Sequence, residues 1–240
     1  MIDLAADGRN RMAREKEYWD ARVEFEWLTE ESIAQIVASL PPIQGDVLEM
    51  CSGSGMFTQR LKGSYSRYVC LDLSASLLKQ ARITMPDKLI VAGDAENPAF
   101  SSAAFDMVLV FAGLHHLPDM EKSIRDAYRL LRPGGRFICF EPNAECWYRK
   151  PSLSIKRLLK IYTEDERFLY PDEVISPMEK TGFVSIETQY MTPEYHPKHL
   201  KTWFNRVLGS SMLAVATWSA APRWQSFFLM TALKPEGAQP

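Results

Sequence analysis

Val47-Leu-Glu-Met-Cys-Ser-Gly-Ser-Gly-Met-Phe-Thr58 begins as a buried-strand run and breaks into a loop of small residues. Only small residues let backbone N–H groups approach a ligand closely. A helix following over 55–62 would aim the positive end of its dipole into the same space. Glu49 places an acid beside that loop. An acid next to a glycine turn suits a ligand with an ammonium group and a ribose better than a bare phosphate.

Outward from this stretch the pattern alternates between apolar runs and helical spacing. Strands are expected at 46–51, 67–72, 88–93, 105–111 and 135–141, with helices at 55–62, 74–84 and 119–131 and an irregular link over 95–104. Phe105-Asp-Met-Val-Leu-Val-Phe111 is nearly continuous in its apolarity. Such runs belong to a parallel sheet covered on both faces. Upstream, Thr29 caps an expected helix carrying Ile33, Ile36, Val37 and Leu40, which Pro41-Pro42 ends. Asp119 caps the helix of Met120, Ile124, Tyr128 and Leu131, and Arg132-Pro-Gly-Gly135 stops it and launches the next strand. Further on, Ser176-Pro-Met-Glu179 has the form of a capping box with proline at the first helical position. Two more strands are expected at 183–192 and 225–234.

The bulk numbers fit one α/β unit. The chain has 240 residues, is 46% hydrophobic and 24% charged, and carries a net charge of −2, so no global basicity advertises nucleic acid. Cys51, Cys70, Cys139 and Cys146 lack metal-ligand spacing and read as reduced packing thiols of a cytoplasmic protein; no metal is expected. The first residues lack the apolar core of a signal peptide. The uncharged run Val207–Pro222 falls short of the roughly 20 residues that span a bilayer, and reads as a buried or interfacial helix. The simplest organisation is a single domain. It comprises a helical arm over 1–28 with Tyr18, Trp19, Phe25 and Trp27, a core over 29–142, a basic segment over 143–182, and C-terminal strands over 183–240 with a helical insertion at 198–221.

In a doubly wound sheet, ligands bind outside the carboxyl ends of the strands. Here the first strand ends in Glu49 and the glycine loop. The second ends in Asp72, able to accept both ribose hydroxyls, and the third runs into Gly93-Asp94-Ala95, where a carboxylate can accept from an adenine amino group. The fourth leads into Ala112-Gly-Leu-His-His116. Each acid alone is as well explained by a helix cap or a solvated loop. Together they describe a nucleoside cleft.

Val47–Thr58, Val69–Leu73, Gly93–Ala95, Phe105–Leu117 and Arg129–Pro142 resemble the successive motifs of class I S-adenosylmethionine-dependent methyltransferases. Leu114-His-His-Leu117 and Leu131-Arg-Pro-Gly-Gly135 are similar to the small-molecule branch that includes quinone-biosynthesis enzymes. The resemblance implies a Rossmann-like, doubly wound, mostly parallel seven-stranded sheet with helices on both faces and an antiparallel last strand. It also implies S-adenosylmethionine as cofactor, with Cys51, Gly53, Ser54 and Gly55 packing on its methionine part. Glu49 would position that loop or reach the amino group, Asp72 would bind the ribose, and Leu73 would lie on the adenine face. Asp94 and Ala95 would contact the adenine edge, and the Phe111 carbonyl would help hold the amino group.

The family pattern usually has glycine where this chain has Cys51, which is expected to fit if it keeps a negative φ. A base is needed only if the acceptor must lose a proton, and His115 is the candidate; a histidine that merely pins its loop is the competing reading. A nicotinamide enzyme is disfavoured because its fingerprint wants Gly or Ala where Thr58 stands. A non-catalytic binding or scaffolding module is the other alternative.

The acceptor is expected to be a small molecule with an O, N or C nucleophile, without nucleic acid, in an oligomeric state the sequence leaves open. Residues 147–163 hold Arg149, Lys150, Lys156, Arg157 and Lys160 and no acid. A solvated helix face is the plain reading. The sharper one is a lid that guides an anionic or lipid-linked acceptor, or rests on an anionic membrane surface. Tyr18, Trp19, Trp147, Tyr148 and Tyr170 are candidates to line an apolar acceptor pocket.

Overall fold

The computed structural model describes residues 28–147, 167–194 and 221–238, together with Glu17. The aromatic arm over 11–28, the basic segment over 147–163 and the insertion over 198–221 fall almost wholly outside them, as does the apolar run 207–222.

Seven strands form one sheet: β1 (Ile43–Met50), β2 (Gly63–Asp72), β3 (Leu89–Ala92), β4 (Phe105–Phe111), β5 (Leu131–Pro142), β6 (Val184–Met191) and β7 (Phe227–Leu233). Their order is β3-β2-β1-β4-β5-β7-β6. Pairs from β3 through β5 are parallel, and β7 runs antiparallel to both β5 and β6. The chain therefore leaves one edge after β3 and returns to lie beside β1. That return makes the β1/β4 gap the topological switch point, where doubly wound sheets take their ligands.

The apolar runs are explained by burial on both faces. Leu48, Met50, Val69, Val108, Val110, Phe137 and Cys139 point to one side. There they meet Ile124, Ala127 and Leu130 of α3 (Met120–Leu130) and Val174 and Met178 of α4 (Pro171–Thr181). Their alternates Val47, Tyr68, Cys70, Met107, Leu109, Ile138 and Phe140 point to the other side. They meet Ile33 and Ile36 of α1 (Glu30–Ala38) and Ala81 of α2 (Ala75–Thr84). The period of two sends successive residues to opposite faces, and both faces are dry. Thr29, Ser74 and Asp119 cap α1, α2 and α3, each side chain accepting a backbone N–H from the first turn. Cys51, Cys70, Cys139 and Cys146 are all free thiols.

Four expectations are corrected. Residues 55–62 do not form an α-helix; only a 3-10 turn at Thr58–Arg60 is present. Gly55 has φ +84°, and β2 already starts at Gly63, which leaves room for a single turn. No helix dipole therefore points out of this segment. The capping box at Ser176 is also absent, because α4 begins at Pro171. Glu173 there accepts the Tyr170 N–H at 2.8 Å, so the upstream proline takes the first helical position and Pro177 lies within the helix. Arg132-Pro-Gly-Gly135 does not precede β5 but lies inside it as an irregularity: Leu131 pairs with Phe105, and pairing resumes at Arg136 with Met107. Finally, Cys51 does not keep a negative φ. Its φ is +57°.

Among the described residues no helix is long and apolar enough to cross a membrane.

Candidate functional site

The carboxyl end of β1 turns through two glycines and one cysteine in the left-handed region: Cys51 at φ +57°, Gly53 at +55° and Gly55 at +84°. The same region holds Ala112, φ +52°, just past β4. Cys51 and Ala112 thus occupy a conformation that costs a side-chain-bearing residue roughly 1–2 kcal/mol, at the two strand ends flanking the switch point. Strain of this kind persists where the surroundings over-determine the backbone, and it concentrates at functional sites. At Gly55 the φ of +84° disfavours a side chain, and a Cβ would fall 2.1 Å from the Met85 methyl, so that this flexible side chain would have to shift. At Gly53 a Cβ would meet only Leu77, at 3.8 Å, so this glycine serves the turn and leaves the space above it open.

Asp72 fastens the loop. Its Oδ2 accepts the Gly53 N–H at 2.7 Å and its Oδ1 accepts the Ser74 N–H at 2.8 Å, tying the glycine turn to the start of α2. Burial pushes its carboxyl above the ordinary range, against the pull of those two N–H groups. Asp94 organises the turn after β3, accepting the Glu96 N–H at 2.7 Å and the Asn97 side-chain amide at 3.1 Å. Ala95 beside it is buried, while Leu73 and Ser54 are half-buried.

Glu49 goes elsewhere. It is 2% exposed and lies under the loop on the α1 side of the sheet. There it accepts hydrogen bonds from Thr58 Oγ1 and, at 2.6 Å, from Tyr68 Oη. Burial lifts its carboxyl to about 7. Its visible contact is therefore with the turn that follows the loop. Phe111 stacks on Phe57 with ring centroids 4.7 Å apart, so its side chain belongs to the core and it offers the crevice main-chain atoms only.

Past β4, His115 is 5% exposed and its Nδ1 stands 2.6 Å from Oε2 of Glu141, at the end of β5. Glu141 is wholly buried, and its Oε1 accepts the Gly113 N–H at 3.0 Å and the Leu114 N–H at 2.8 Å. Burial raises its carboxyl to about 8, against those N–H groups.

These pieces converge on Cys51. Its thiol is pushed well above the ordinary range, first by burial and then by the carboxylates of Asp72, Glu141, Asp94 and Glu96. Four acids from the ends of β2, β3 and β5 thus act on one point at the end of β1. A thiol held protonated in a negative field is no nucleophile.

Glu141 and Glu96 were not singled out from the sequence. Glu141 ends the apolar run Phe137-Ile-Cys-Phe140, and the reasoning applied to the first three strand ends would have found it. Trp147 is 51% exposed against the edge of Trp224, and Tyr170 is 44% exposed ahead of α4. Tyr18, Trp19 and Tyr148 lie outside the described residues.

Residues 48–139 match the family model described as a methyltransferase domain, type 11. The chain is 29% identical over 120 residues to the ubiquinone/menaquinone biosynthesis C-methyltransferase of Rickettsia prowazekii, covering 45% of this chain and 48% of that protein. It is 30% identical over 130 residues to the demethylmenaquinone methyltransferase of Staphylococcus epidermidis, covering 52% of this chain and 51% of that protein. The match thus spans about half the length of these curated relatives. In fold, the chain is similar to an S-adenosylmethionine-dependent methyltransferase from Thermotoga maritima, with a TM-score of 0.63 and 21% identity, over 85% of this chain and 88% of the other. The match to the methyltransferase-domain model is thus confined to residues 48–139, and the likeness to the solved methyltransferase is one of fold.

Proposed function

We propose that the chain binds S-adenosylmethionine in the crevice at the β1/β4 switch point and transfers its methyl group to a small-molecule acceptor. The observation that carries this reading is the placement of acids at the carboxyl ends of β2, β3 and β5 around the glycine turn that ends β1: Asp72 on the Gly53 N–H, Asp94 on the Glu96 N–H and Glu141 on the Gly113 N–H. A field made by carboxylates suits a ligand that carries a sulfonium and an ammonium, and it disfavours a pyrophosphate. The cofactor, when bound, supplies a methyl group already activated by its positive sulfur.

The chain's own residues hold, align and desolvate. The open backbone at Gly53 receives the methionine part, Asp72 the ribose hydroxyls, and Asp94 with Ala95 the adenine edge. Glu49 supports the loop from below through Thr58. His115 accepts a proton where the acceptor must lose one.

The acceptor class we favour is a small anionic or lipid-linked molecule, on account of the five basic residues and absent acids over 147–163. An aromatic quinol precursor is the first to try, since the names of the curated relatives concern quinones. Salt-sensitive binding to anionic liposomes that disappears when Lys156, Arg157 and Lys160 are neutralised would support a membrane-facing lid; no binding at low salt would exclude it.

Incubation with methyl-labelled S-adenosylmethionine and fractionated metabolites tests the activity. The expected result is label in a discrete small molecule, absent with the Asp72→Ala variant. A protein that binds the cofactor but labels no fraction is instead a binding module built on this fold.

A further inference from the structure

We infer that Glu141 is the positioning residue of the site: it fixes the loop Ala112–His116 and, as a carboxylate, holds His115 with its proton on Nδ1, so that Nε2 is the proton-accepting nitrogen. The inference rests on the methyl-transfer reading above and deepens it.

The geometry fixes the division of labour within one carboxylate. Oε1 faces two backbone donors, Gly113 N–H at 3.0 Å and Leu114 N–H at 2.8 Å, and Oε2 faces His115 Nδ1 at 2.6 Å. Backbone amides can only donate, so Oε1 must accept. Once Glu141 is ionised, above the value of about 8 to which burial lifts it, the carboxylate offers no hydrogen, so the contact with Oε2 then requires the hydrogen to sit on Nδ1. The other ring nitrogen then carries the lone pair. The same logic orients metal-binding and triad histidines, where a carboxylate on one nitrogen fixes the role of the other.

The loop needs such a clamp. Ala112 sits at φ +52° with its N–H on the Phe140 carbonyl, at 2.6 Å. Gly113 and Leu114 then present consecutive N–H groups to one oxygen, a nest that a carboxylate fills. The imidazole of His116 lies 4.0 Å from that of His115, so the ring is confined on that side as well.

In the step this arrangement serves, the acceptor's O–H or N–H bond breaks and a bond from that hydrogen to His115 Nε2 forms. The electron pair stays on the acceptor as its nucleophile, and the resulting imidazolium keeps its Nδ1–H on Glu141. The carboxylate opposes the new positive charge directly.

Glu141→Gln tests the assignment because the backbone dictates how the amide must lie. Its oxygen has to face the Gly113 and Leu114 N–H groups, so its NH2 faces His115. Nδ1 must then accept, and the hydrogen moves to Nε2. Spectra of 15N-histidine-labelled protein, with His115 assigned by its loss in His115→Asn, read the tautomer directly, and S-adenosylhomocysteine is titrated into the same samples. Expected at pH 9, where Glu141 is ionised, are an Nδ1–H tautomer in the wild type, an Nε2–H tautomer in Glu141→Gln, and a response of the wild-type spectra to S-adenosylhomocysteine. A wild-type His115 still in the Nε2–H form at pH 9 would overturn the assignment whether or not the variant folds. Spectra unmoved by S-adenosylhomocysteine would overturn the methyl-transfer reading beneath it.

Discussion

Cys51 and Gly113 share one space: a Cβ built on Gly113 falls 2.5 Å from Cys51 Cβ and 3.1 Å from its sulfur. The side chain that replaces the usual glycine at the end of β1 is thus accommodated by a glycine past β4. Val110 lies close as well, 3.0 Å from the same Cβ. Gly113→Ala should destabilise the protein by about 1–3 kcal/mol, the cost of overpacking. Cys51→Gly should recover most of that loss, leaving what Val110 imposes. A double-mutant cycle by urea denaturation measures the coupling; additive effects would mean that the two residues do not meet.

Cys51→Gly alone carries its own expectation. Relief of the left-handed conformation gains roughly 1–2 kcal/mol, against about 0.5–1 kcal/mol of added chain entropy in the unfolded state. The variant should be at least as stable as the parent, unusual for deletion of a largely buried side chain. A clear fall in melting temperature would show that the thiol's packing outweighs the strain.

Glu49 makes stability depend on pH. Its folded carboxyl is raised to about 7 from an ordinary 4.5, so between these values the folded chain holds a proton that the unfolded chain has lost. Stability from this group therefore falls as pH rises through that window and levels off above it. The full shift corresponds to about 3 kcal/mol. Glu49→Gln should be more stable than the parent at pH 8 and close to it at pH 5, when unfolding is followed at both. Glu141, raised to about 8, contributes a second dependence of the same sign that remains in the variant. A stability difference equal at both pH values would contradict the assignment.

Arg132 belongs to the opposite end of the sheet. It binds Asp106 at 2.6 Å and Asp46 at 2.9 Å, joining the starts of β4 and β1. With 39% of its side chain exposed, its ion pairs are screened, and Arg132→Ala should cost about 1 kcal/mol. S-adenosylhomocysteine affinity, measured by calorimetry, should be unchanged. A large loss of affinity would place this motif in the ligand site after all.

The strands were legible because burial on both faces leaves little room for polar residues, as in Phe105–Phe111. Asp72 and Asp94 were legible because they follow such runs directly. The segment after Gly55 was not, because Met56, Phe57 and Leu61 are all buried without helical spacing, filling the α1 side of the sheet from a tight turn. The start of α4 was not legible either: it rests on Glu173 reaching the Tyr170 N–H, and the spacing at Ser176 points further downstream. The φ of Cys51 was hidden for a different reason. Left-handed cysteine is disfavoured locally, and the turn is fixed by long-range hydrogen bonds from the Ser52 and Gly53 amides to β2.

The cofactor site is tested most directly by titrating S-adenosylhomocysteine into the wild type and Asp72→Ala in a calorimeter. Saturable binding at one site per chain is predicted, weakened in the variant by about 10- to 100-fold, as removal of a charged hydrogen-bond partner implies. No binding to the wild type, or equal affinity in a folded Asp72→Ala, would contradict the account.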